Sequence, residues 1–128
     1  MTDVALLAIF GGIGCAFRVV VRDAMQRRGH HPWVAVAAIN LLGSLAIGAV
    51  IAGARLPNAA ISAHAVTAAM GLLAGWTTYS AFAMDVVQLW WRGERANAAA
   101  MWAVTLGGSP ALAWLGAWTV RAAFGGGA

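Results

Sequence analysis

Charge is scarce in this chain. Only 9% of its 128 residues are Asp, Glu, Lys or Arg, against 62% hydrophobic, whereas water-soluble domains run about 25% charged and about 45–50% apolar. So little charge does not cover a folded surface in water, which excludes an ordinary soluble domain and makes lipid the expected solvent. Lysine is missing altogether, and eight Arg against four acids leave a formal charge of +4. On a soluble protein that balance would suggest nucleic acid. Here the charges fall between apolar runs, where they orient a chain against anionic lipid, and no nucleic-acid partner is expected. The single cysteine, Cys15, excludes an internal disulfide and a thiolate metal cluster.

What is present is a series of apolar runs. Val4 to Val21 is interrupted only by Arg18, while Trp33 to Gly53, Leu56 to Met84 and Ala96 to Val120 carry no charge. About 20 residues of helix cross a hydrocarbon core of about 30 Å. The chain therefore reads as an all-α membrane protein with four transmembrane helices, at about residues 4–21, 33–53, 60–90 and 97–121, in one domain over 1–128. Asp3 stands where a secretory signal would be basic and no small-residue cleavage site follows, so the first run is read as a retained helix. Four crossings put both termini on one side. The opposite side then carries Arg22, Arg27, Arg28, Arg92 and Arg95, against Arg55 and Arg121, and the positive-inside rule turns the termini outward. Most of the seven Trp fall near the interfaces, with Trp76 the exception at mid-membrane. Turn residues fit this division: His30-His31-Pro32, Leu56-Pro57-Asn58 and Trp91-Arg92-Gly93-Glu94 separate the runs, and Gly125-Gly126-Gly127 is expected to fray.

Polar side chains in hydrocarbon are costly and mark either helix contacts or pathways. Asn40 and Ser44 stand four apart on one face of the second run, and Thr105 and Ser109 repeat that spacing in the fourth. Each pair alone reads as interhelical glue; two pairs in one small bundle also read as a lined path. The third run holds Gly71-Leu72-Leu73-Ala74-Gly75-Trp76-Thr77-Thr78-Tyr79-Ser80-Ala81-Phe82 and exceeds one straight crossing. A helix broken at mid-depth frees carbonyls that protein or a cavity must satisfy, and freed carbonyls can bind a cation. Gly71 and Gly75 also suit a small-xxx-small contact. Tyr79 and Phe82, three apart, either pack or turn partly positive ring edges toward an anion.

These motifs resemble those of the bacterial fluoride channels of the Fluc (CrcB) family, over nearly the whole chain. The resemblance rests on Gly11-Gly12-Ile13-Gly14 leading to Arg18, on Asn40-Leu41-Leu42-Gly43-Ser44 followed by Gly48, and on Gly75-Trp76-Thr77-Thr78-Tyr79-Ser80-Ala81-Phe82. The last is similar to the family's Gly-Thr-Thr-Phe-Ser-Thr-Phe run. The resemblance implies passive export of fluoride across the inner (cytoplasmic) membrane, lowering its toxicity, by an antiparallel, dual-topology dimer with two pores. It also implies a structural sodium ion at the interface, held by main-chain carbonyls of Ala74 and Thr77. The pore residues it implies are Asn40, Ser44, Tyr79, Ser80, Phe82, Thr105 and Ser109, with Arg18 near a mouth. Three positions depart from the family: Ala74 replaces a usual Gly, Tyr79 a phenylalanine, and Met101 a frequent tyrosine.

A chain that inserts both ways should balance its loop charge, and five Arg against two does not. A homodimer and a heterodimer with an oppositely oriented paralogue, one pore being inactive, are therefore both expected alternatives. A dinucleotide-binding enzyme fails because Phe17 takes the third glycine position and Asp23 lies far short of the usual acid, about 20 residues on. A small four-helix drug or cation exporter needs a carboxylate inside its first span; Asp3, Asp23, Asp85 and Glu94 all lie toward the ends of the runs. A non-conducting membrane partner stays open. His64 reads as structural, Cys15 as a small packing residue, and Asp85 as a partner for Arg92 or Arg18.

Overall fold

The computed structural model describes residues 2–56 and 61–125. The expected turn at Pro57-Asn58 and most of the glycine tail lie outside the described residues. Among the described residues five helices follow one another: α1 (Thr2–Arg27), α2 (Pro32–Ala54), α3 (Ala63–Trp76), α4 (Tyr79–Trp91) and α5 (Arg95–Phe124). There is no strand among the described residues. α1, α2 and α5 are long and apolar enough to cross a membrane. α3 and α4 have 14 and 13 residues, about 20 Å each at helical rise, so neither crosses alone. The break expected in the third run falls at Thr77-Thr78, where both residues are extended: φ −79°, ψ 150° and φ −152°, ψ 120°.

Helix ends follow from local chemistry. α1 and α4 both stop at a glycine in the left-handed region, Gly29 at φ 83° and Gly93 at φ 77°. At each, the following residue reaches back five positions, His30 N–H to the Met25 carbonyl (3.2 Å) and Glu94 N–H to that of Leu89 (2.9 Å), which closes a Schellman turn. α2 starts with Pro32 in its first turn, where a missing N–H costs nothing. The Ser62 hydroxyl accepts the Ala65 N–H and starts α3; that of Thr78 accepts the Ala81 N–H and starts α4.

Two helix pairs make most of the packing, α2 on α5 and α1 on α3. Both rely on glycine for space. A Cβ at Gly48 would strike the Ala113 backbone and one at Gly116 the Leu45 carbonyl; across the other pair, Gly14 faces the Leu72 carbonyl and Gly75 that of Gly11. Lipid supplies no hydrophobic drive between helices, so such close backbone approach is the main source of association. α2 is the central helix, and Val36, Phe82, Leu89, Ala98 and Met101 from α2, α4 and α5 form the buried core. α1 buries only Gly14; Val4, Ile9, Ile13, Phe17 and Val20 face outward.

The basic end is fixed by contacts between helices and between their caps. Arg22 on α1 pairs with Asp85 on α4 at 3.3 Å, and His31 meets Glu94 at 3.2 Å. At the other end the His64 ring lies 2.8 Å from the Asp3 carboxylate, joining the starts of α1 and α3. Two sequence expectations need correction. Arg22 and Arg27 belong to α1 rather than to a loop, because no helix-stopping residue occurs before Gly29. Asp85 meets Arg22 instead of Arg18 or Arg92, since the longer α1 carries Arg22 up to α4.

Candidate functional site

Mid-way along α2 and α5, below the break, lies a groove of about 290 Å³. Asn40, Ser44 and Ile47 line it from α2, Thr77, Thr78 and Tyr79 from the break, and Thr105, Leu106, Ser109 and Pro110 from α5. The i,i+4 spacing of both polar pairs brings them to one cleft because α2 and α5 pack so closely at Gly48 and Gly116. Pro110 sits inside α5. Lacking an N–H, it leaves the Leu106 carbonyl without its usual helical donor.

The two sides of the groove differ in how their polar groups are occupied. Asn40, 7% exposed, accepts the Thr78 N–H on its Oδ1 at 2.9 Å and donates its Nδ2 to the Thr78 carbonyl at 3.2 Å. Opposite, the hydroxyls of Thr105 and Ser109 are buried and have no hydrogen-bond partner among the described residues. A buried hydroxyl left unpaired costs about 1–3 kcal/mol, and both of these residues line the one groove. Among the described residues, none that lines this groove carries a formal charge.

Of the other expected site residues, Thr77 and Tyr79 also line the groove and the rest lie outside it. Phe82 is 3% exposed, within the apolar core, while Tyr79 is 74% exposed; their ring centroids are 5.6 Å apart at 48°. Ser80 is exposed, its hydroxyl 3.1 Å from that of Thr78. Arg18 lines a second cavity of about 250 Å³ with Arg22, Val36, Ile39, Ala81 and Thr78, and donates to the Cys15 sulfur at 3.0 Å. Thr78 thus faces both the basic cavity and the polar groove. Ala74 is exposed at the end of α3.

Sequence reasoning missed Thr78, Pro110 and Arg22. Thr78 was legible as an N-cap, and Pro110 as a proline in the middle of a run. Arg22 gave no signal, since its partner Asp85 is 63 residues away. Trp76, unexplained in the sequence, donates its indole N–H to the Ile39 carbonyl at 2.9 Å and packs against Phe17, the ring centroids 4.7 Å apart at 33°.

Comparison with known proteins matches residues 5–117 to the family model described as CrcB-like protein, Camphor Resistance (CrcB). A protein from Chelativorans sp. (strain BNC1) is 31% identical over 123 residues, covering 94% of this chain and 98% of its own. One from Mesorhizobium japonicum is 32% identical over 123 residues with the same coverage, and one from Agrobacterium fabrum 38% over 96 residues, covering 73% and 75%. Each of the three bears the name fluoride-specific ion channel FluC. With helices long enough to cross a membrane, backbone-close glycine packing and an uncharged polar groove, and with the family model covering most of its length, the chain belongs to the CrcB-like family.

Proposed function

We propose that this protein is a subunit of a passive fluoride channel of the cytoplasmic membrane, and that the ion moves along the groove between α2 and α5. The observation that carries the reading is the pair of unpartnered hydroxyls at Thr105 and Ser109. Fluoride is small and strongly hydrated, and it exchanges water only for good hydrogen-bond donors. Hydroxyls donate without a full charge, so they bind well enough to admit the ion and weakly enough to release it. The fluoride-channel name of the three relatives supports the same assignment.

The reading extends to an antiparallel dimer with a structural sodium ion. In a continuous helix the Thr78 N–H would bond the Ala74 carbonyl; here it goes to Asn40, so that carbonyl is released at an exposed position. Ala74 does not have a positive φ, so alanine serves where the family usually has glycine. Main-chain oxygens suit a hard cation, and carbonyls of Ala74 and Thr77 would hold sodium, which supplies a fixed positive charge between the subunits. Tyr79, open in the single chain, would be covered by the second subunit.

The five-to-two arginine bias favours a second form of this reading, a heterodimer with an oppositely oriented paralogue. Liposomes reconstituted with the protein and loaded with fluoride or chloride test the proposal with an ion-selective electrode. Fluoride should leave far faster than chloride, and faster than from protein-free vesicles. Retention of fluoride by folded protein alone, with efflux only beside the paralogue, would favour the heterodimer. Retention in both cases contradicts the channel.

A further inference from the structure

Asn40 has a second occupation that competes with a role as an ion donor. Two extended residues between helices leave backbone groups that, at membrane depth, must find protein partners. Thr78 finds both of its partners in the Asn40 amide, through bonds of 2.9 and 3.2 Å. One residue earlier on α2, the Ile39 carbonyl receives the Trp76 indole N–H at 2.9 Å. One turn later stands Gly43, where a Cβ would run into the Thr77 methyl and come within 2.9 Å of the Trp76 ring. Ile39, Asn40 and Gly43 therefore form a seat on α2 that receives residues 76, 77 and 78. Thr77 closes the other side, its N–H and its hydroxyl both donating to the Leu73 carbonyl at 2.9 Å.

We propose that Asn40 and Trp76 are positioning residues: they hold the break against α2 from its two sides and keep Thr77 and Thr78 in the geometry that lines the groove. Asn40 acts on the ion through the Thr78 backbone. Trp76 separates this from direct ligation, because its indole points to Ile39 and its ring lies on Phe17, away from the groove.

The flux arm of the test rests on the channel reading; the exchange arm does not, so the two can fail separately. The full chain is placed in lipid nanodiscs, and amide hydrogen exchange is followed in peptides covering residues 77–81, for wild type, Asn40→Ala, Trp76→Phe and the double variant. Loss of one hydrogen bond should speed exchange at Thr78 roughly five- to tenfold in Asn40→Ala, and Trp76→Phe should speed it in the same direction. Fluoride efflux from liposomes should slow in each single variant, and the double variant should be no slower than the worse single, because both act on one element. Trp102→Phe, on the outer face, serves as the control. Unchanged protection of Thr78 in Asn40→Ala overturns the proposal, as does a Trp76→Phe protein that exchanges and conducts like wild type. If Asn40→Ala yields no folded protein, Trp76→Phe decides alone. Faster exchange in the variants, where the wild-type protein itself passes no fluoride, supports the positioning role and removes only the channel reading.

Discussion

The two walls of the groove carry polar pairs at the same helical spacing, and Asn40 on one wall is occupied where both residues of the other wall are not. On α2, Asn40 is tied at both ends of its amide to the backbone of the break. On α5, Thr105 and Ser109 are buried with nothing to bond among the described residues. On the proposed reading, the tied amide builds the groove and the two unpaired hydroxyls are what it offers to an ion that accepts hydrogen bonds. The difference separates what builds the groove from what the groove is for.

Substitutions that attack each wall in turn should show different signatures. The largest effect is expected from Gly43→Val, because a side chain there meets Trp76 and Thr77 directly. Overpacking of this kind costs about 1–3 kcal/mol. A lower melting temperature and a fluoride efflux slowed at least roughly tenfold should appear together. Thr105→Val combined with Ser109→Ala strikes the opposite wall. Efflux should fall about tenfold while the melting temperature holds or rises, since two unpaired buried hydroxyls are removed. Ser44→Ala takes one donor from the tied wall without touching the break, and efflux should slow about threefold. Least of all, Tyr79→Phe removes an exposed hydroxyl and should change stability by less than about 0.5 kcal/mol in a thermal melt. A Gly43→Val protein that keeps its stability, or a double variant that loses it, would erase the distinction between the walls.

The four apolar runs were legible because hydrocarbon admits few charges, and the break because two threonines follow two glycines at mid-run. Helix limits were not. α1 continues to Arg27 since Asp23 and Arg27 pair at 2.8 Å one turn apart outside the apolar segment, and only Gly29 ends it. Nor could the sequence tell the two polar pairs apart: Asn40-Ser44 and Thr105-Ser109 have one spacing, and whether an amide finds backbone depends on a neighbour 38 residues away. The Tyr79-Phe82 pair shows the limit of face arguments as well. The rings adjoin, yet one is exposed and the other is core, because Tyr79 is the first residue of α4 and stands at its rim. Trp76 looked misplaced at mid-membrane until its acceptor, the Ile39 carbonyl, was known.

The path itself can be tested with a thiol placed in it. In a Cys15→Ala background, Ser109→Cys should conduct fluoride from liposomes, and a small methanethiosulfonate reagent should stop that efflux once mass spectrometry shows the thiol modified. Fluoride leaving at an undiminished rate from fully modified protein would mean that the ion takes another route, and the groove between α2 and α5 would lose its assignment.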